Sequence, residues 1–132
     1  MNHGGAGPGP WIMGDLENGL WGCNVTASEE PTITHTFVTA MFKGDTGPAP
    51  GHMAIKGGDA QNGPLAVFYD GGRPRGYAPM KKQGSIILGI GGDDSSGSEG
   101  TFYEGAMIKG FTSDLVDAQV QANVVAAGYS LA

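Results

Sequence analysis

Apolar residues in this chain come in short runs broken by glycine, proline and small polar residues, and most runs repeat with a period of two. Residues 11–21, read as one strand, place Trp11, Met13, Asp15 and Glu17 on one face and Ile12, Gly14 and Leu16 on the other. Thr32–Lys43 is the longest β-branched and aromatic stretch. Its apolar groups fall on both faces, Ile33, Phe37 and Met41 against Val38, Ala40 and Phe42, which predicts an interior strand. Met53–Lys56 and Leu65–Tyr69 read as short strands around a turn at Asn62-Gly63-Pro64. Ser85–Ile90 is a continuous apolar run suited to a core strand, and Thr101–Ile108 reads as a further strand with Phe102 and Glu104 on one face. A single helix is predicted over Asp114–Ala127, capped by Ser113 and stopped by Gly128. Its apolar stripe of Val116, Val120, Val124 and Ala127 should lie against the outside of a sheet.

Composition supports the strand-rich reading. The 132 residues include 25 glycines and 8 prolines with 39% hydrophobic residues, which favours strands and turns in one domain over a helical bundle. A formal charge of −6 without a basic patch argues against nucleic acid or an anionic membrane as partner. No segment is long and apolar enough to span a membrane, and residues 1–10 lack the apolar run of a signal peptide, so a secretory signal would lie upstream. Cys23 is alone and forms no internal disulfide. Asn24-Val25-Thr26 is a glycosylation sequon.

The candidate chemistry is acidic. Asp15 and Glu17, on one strand face beside Trp11 and Met13, suit either a solvated acidic face or a site that handles protons and sugar hydroxyls. Asp93 follows the Ser85–Ile90 run, but spacing does not rank it above Asp94, Glu99 or Glu104, and an Asx turn accounts for it equally. Arg73 and Arg75 fit a solvated loop or a groove that bonds sugar hydroxyls. His35 reads as a hydrogen-bonded sheet histidine, because no second ligand falls at metal-binding spacing.

Four segments in this order, Gly14–Leu20, Ile55–Gln61, Ile86–Asp93 and Gly100–Gly105, followed by Val120–Asn123, resemble the catalytic domain of the glycoside hydrolase family 54 α-L-arabinofuranosidases. The resemblance runs from Pro10 onward and is to the C-terminal part of that domain. It implies a mostly β fold, a concanavalin-like jelly-roll β-sandwich with one peripheral α-helix, of which residues 1–132 would be one part, without the family's arabinose-binding trefoil module or its adjacent-cysteine pair. By resemblance, Glu17 is the nucleophile and Asp93 the general acid and base, while Asp15, Asn18 and Gly92 touch the arabinofuranose ring. Retention of configuration would follow, with carboxyl groups about 5–5.5 Å apart and Asp93 titrating above Glu17. No cofactor or metal is implied. The implied partners are arabinan, arabinoxylan or arabinogalactan side chains and the N-terminal part of the catalytic domain, and the implied location is extracellular. The competing expectation is a carbohydrate-binding module or fragment without turnover.

Overall fold

The structure, a computed structural model, describes residues 9–16, 19–22, 31–74, 76–77 and 100–132, with the backbone alone at Asp15, Gly19 and Leu20. The chain forms two compact units, Met1–Pro79 with Gly110–Ala132, and Met80–Lys109. It is mostly β with one helix, and no helix among the described residues is long and apolar enough to cross a membrane. The described strands make a hairpin and a three-stranded sheet.

In the first unit, residues 14–16 and 19–21 are two paired strands rather than parts of one continuous strand. β1 (Gly14–Leu16) and β2 (Gly19–Trp21) run antiparallel, pairing Gly14 with Trp21, Asp15 with Leu20 and Leu16 with Gly19. The Asn18-Gly19 step is a reversal signal, and here it overrides the alternation on either side of it. Residues 14–16 and 19–21 are therefore not one continuous strand, and the Asp15 side chain and Glu17 lie outside the described residues. Ile12, Gly14 and Leu16 do turn to one side, towards the larger sheet.

That sheet has β4 (Met53–Asp59) between β3 (Val38–Gly44) and β5 (Ala66–Gly71), all antiparallel. The interior strand is β4, buried from Met53 to Gly58, whereas β3 is outermost among the described strands and leaves Val38 and Phe42 44% and 49% exposed. Apolar groups on both faces of Thr32–Lys43 predict the interior strand there. A strand covered on both faces instead needs small residues where neighbouring layers approach, and Ala54, Gly57 and Gly58 provide them. β4 consequently extends through Gly57-Gly58-Asp59, and the turn to β5 comes later, with Gly63 at φ +80°. Phe68 is the extra residue of a bulge opposite Ile55 and Lys56.

Alternation along β4 separates two layers. One side carries Met53 and Ile55, which form the core with Leu16 and Trp21 of the hairpin, flanked by Ile12, Phe68, Tyr69 and Tyr77. Tyr69 meets Trp21 edge-on at 5.7 Å. The other side carries Lys56, next to Lys43 of β3, and receives α1 (Asp114–Ala126).

Helix α1 begins where expected: Ser113 Oγ accepts from the Val116 N–H at 3.4 Å, and Gly128 takes φ +71° just past the end. Its orientation departs from the expectation, with only Val124 of the apolar stripe half-buried. Asp117 and Gln121 are the buried residues, while Leu115, Val116 and Val120 are 69%, 38% and 43% exposed. Two lysines on the facing side of the sheet require counter-charge, and that requirement outweighs the burial of a few valines. Two further differences concern strands. Thr101–Ile108, expected to be a strand, forms none, and Ser85–Ile90 lies outside the described residues.

Candidate active site

Of the residues proposed from sequence, Glu17, Asn18, Asn24, Gly92 and Asp93 lie outside the described residues, as do Cys23 and Arg75. Asp15 is in β1, its backbone paired with Leu20. What the structure defines is the support beneath the acidic motif. Leu16 and Trp21, one on each stem of the hairpin, are 4% and 5% exposed and belong to the core. A Cβ on Gly14 would lie 2.6 Å from Phe42 Cε2, and one on Gly57 would lie 2.2 Å from Ile12 Cδ1. The segment leading into the acidic motif thus rests on the sheet at backbone distance. Tyr69, beside Trp21, donates its hydroxyl to Gly72 O, and burial together with the Asp70 charge pushes its phenol pKa up. It remains a neutral hydrogen-bonding group of the core.

Arg73 is not a sugar-lining residue. Its side chain is 5% exposed and donates to Asp45 O at 2.9 Å, to Asp45 Oδ1 and to Gly47 O at 2.5 Å, tying the loop after β3 to the end of β5. His35 precedes β3 rather than lying on it, with Nδ1 3.8 Å from Asp59 Oδ2. His52 Nε2 meets Asp70 Oδ1 at 2.5 Å, and its ring stacks on Phe111 at 4.2 Å. Among the described residues, no group of three or more His, Cys, Asp or Glu is gathered for a metal ion.

The densest polar cluster is one the sequence reading missed. Asp117 Oδ2 accepts from Lys43 Nζ at 2.6 Å and Lys56 Nζ at 2.8 Å, and Thr112 Oγ1 donates to Asp117 Oδ1 at 2.6 Å. Lys43 also donates to Thr112 O at 3.0 Å and lies 4.4 Å over the Phe111 ring, while Lys56 reaches Asp114 Oδ1 at 2.6 Å. Burial pushes the Asp117 carboxyl up, but the three hydrogen bonds reverse this and hold it at about 2. Burial pulls Lys56 down and its two aspartates more than compensate, so its ammonium titrates above the ordinary range. Groups fixed in their charged forms do not exchange protons near neutrality, so this cluster clamps α1 to the sheet rather than performing acid-base chemistry. Its signal in the sequence was the presence of Lys43 and Lys56 inside apolar strands. Their common partner lies 61 to 74 positions away and leaves no local pattern.

Comparison with known proteins supplies what the local geometry leaves open. Residues 1–130 match a family model described as α-L-arabinofuranosidase B, catalytic. The chain is 52% identical over 132 residues to an α-L-arabinofuranosidase of Hypocrea jecorina, an alignment covering 97% of this chain and 26% of that protein. Among solved structures, a glutamate-to-glutamine variant of a family 54 α-L-arabinofuranosidase soaked with 4-nitrophenyl α-L-arabinofuranoside aligns with a TM-score of 0.80 at 48% identity, over 97% of this chain and 27% of that one. An arabinofuranosidase complexed with arabinofuranosyl-α-1,2-xylobiose aligns with the same TM-score at 49% identity and the same coverage. The chain spans about a quarter of the length of these relatives.

Proposed function

Because this chain belongs to the family of the α-L-arabinofuranosidase B catalytic domain, we propose that it is the C-terminal part of a retaining glycoside hydrolase domain that releases terminal α-L-arabinofuranosyl units. The observation that carries this reading is the family match across residues 1–130, which includes the Gly14–Leu20 acidic motif on its core-anchored hairpin. Glu17 attacks the anomeric carbon while Asp93 gives its proton to the departing glycosidic oxygen, forming a covalent arabinosyl-enzyme. Asp93 then takes a proton from water, which attacks the same carbon and releases arabinose with configuration retained. Asp15, Asn18 and Gly92 hold the furanose ring, and Gly92 lets backbone approach it closely for want of a Cβ.

The substrates are side chains of arabinan, arabinoxylan or arabinogalactan. A relative's complex with an arabinofuranosyl-xylobiose supports the arabinoxylan case. The partner is the N-terminal part of the catalytic domain, the protein acts outside the cell, and Asn24 carries its glycan. The test is release of 4-nitrophenol from 4-nitrophenyl α-L-arabinofuranoside by the chain alone and by the chain supplied with the N-terminal part of a relative's catalytic domain. Turnover in either, abolished by Glu17→Gln and giving the retained anomer first by NMR, is the expected result. Binding of arabinofuranosides with no turnover in both would instead assign a carbohydrate-binding module.

A further inference from the structure

We infer that Ile12 above Gly57 and Gly14 beneath Phe42 form a two-point seat that sets the height and register at which β1 meets the sheet, making Gly14 and Gly57 positioning residues for the hydrolysis. The inference rests on the function proposed above. It starts from three alternate residues that face the sheet in turn: isoleucine at 12, glycine at 14 and leucine at 16.

At the first, the Ile12 side chain occupies the space a side chain on Gly57 would need. A Cβ there would lie 2.2 Å from Ile12 Cδ1 and 3.0 Å from both Phe68 Cε2 and the Thr39 carbonyl oxygen. The carbonyl and the Phe68 ring would each have to give by a few tenths of an ångström, so the collision with Ile12 is the severe one. At the second, the fit is reversed: the Phe42 ring occupies the space over Gly14, with Cε2 at 2.6 Å and Cδ2 at 3.0 Å from an added Cβ. At the third, Leu16 enters the core at 4% exposure. The two contacts are complementary, so a slide of the segment along the sheet puts both fits out of register together.

The consequence for the site follows from connectivity. Leu16 pairs with Gly19, so in sequence only two residues separate the paired stems, Glu17 being joined directly to Leu16, and Trp21 holds the returning stem in the core. A stem displaced by an ångström displaces the point at which Glu17 is attached to it. A misplacement of that size lowers turnover about 10²-fold.

The test uses the 132-residue chain under the turnover conditions above, with unfolding midpoints measured alongside. Gly57→Ala should lower kcat about 10²-fold with KM within about threefold, because the seat orients the nucleophile rather than binding the sugar. Ile12→Val in that background removes Cδ1 and should restore kcat at least about tenfold. Phe42→Val should do the same for Gly14→Ala. Unchanged kcat in both single variants, or no rescue by either partner substitution, overturns the inference. If a single variant fails to fold, its double variant must fold and turn over; a double that does neither also overturns it. If the wild-type chain has no turnover, the hydrolase reading fails, and the seat is then judged by unfolding midpoints. Doubles melting above the corresponding singles keep it, and additive midpoints sink it.

Discussion

Replacing Asp117 by asparagine keeps the size of the side chain and deletes one charge from the clamp between α1 and the sheet. Lys43 and Lys56, both about 5% exposed, then share only Asp114, whose side chain is 82% exposed. Removing one partner from a buried ion pair destabilises by roughly 3–5 kcal/mol, because the remaining charge is left buried without compensation. The pH dependence gives a second, smaller figure. The carboxyl titrates at about 2 against an ordinary 3.8, which at about 1.36 kcal/mol per pH unit corresponds to roughly 2 kcal/mol of proton-linked stability. The first figure is larger because it includes the stranded lysines.

A depressed carboxyl pKa stabilises the fold when ionised, so the contribution is complete above about pH 4 and is lost as pH falls from there to about 2. Urea unfolding followed by far-ultraviolet circular dichroism at pH 7 should place Asp117→Asn about 3 kcal/mol below wild type, a large fraction of the roughly 5–15 kcal/mol typical of a domain. Wild type should lose stability between pH 4 and pH 2 more steeply than the variant. A companion triple substitution, Lys43→Met, Lys56→Leu and Asp117→Leu, should be neutral or stabilising, since apolar replacement of a whole buried pair removes the desolvation penalty. An asparagine variant within about 1 kcal/mol of wild type, or a triple variant as unstable as the single, would refute the clamp.

Gln121→Ala removes hydrogen bonds from Gln121 Nε2 to Asp59 O at 2.8 Å and Gly63 O at 3.0 Å; a loss of about 1–3 kcal/mol is expected, with faster amide exchange in the β4–β5 turn. Val120→Gln, on the outward side of α1, should shift stability by no more than about 0.5 kcal/mol, where an inward valine would lose several times that. Arg73→Met strands the Asp45 carboxylate and two carbonyls and should destabilise by about 2–4 kcal/mol in thermal unfolding without the KM change expected of a sugar-binding residue. Glu17→Gln should leave the unfolding midpoint near wild type and abolish release of 4-nitrophenol, separating chemistry from folding.

Several elements were legible because their causes are local. Ser113 three residues before Val116, and Gly128 after the last turn, delimit α1 without reference to anything else in the chain. Asn62-Gly63 marks the β4–β5 turn for the same reason. The hairpin at 14–21 was legible in its Asn18-Gly19 step and obscured by the alternation around it, which is itself correct for Ile12, Gly14 and Leu16. The acidic motif carries the family likeness in its order of residues, and the roles proposed for Glu17 and Asp93 rest on that likeness, because spacing alone does not rank Asp93 above its acidic neighbours.

The sequence by itself determined the turn at Asn62-Gly63 and where the helix starts and stops, since each rests on residues within a few positions of one another, and it determined the family through the order of several motifs along the chain. Tertiary structure alone decided which strand is interior and which side of the helix is covered. Those outcomes depend on pairs such as Lys43 and Lys56 with Asp117, whose electrostatic demand exists only once distant segments meet. A helical wheel ranks side chains by their affinity for water. The sheet opposite ranked them by the charge it needed, and so Asp117 and Gln121 face inward while Leu115, Val116 and Val120 face out.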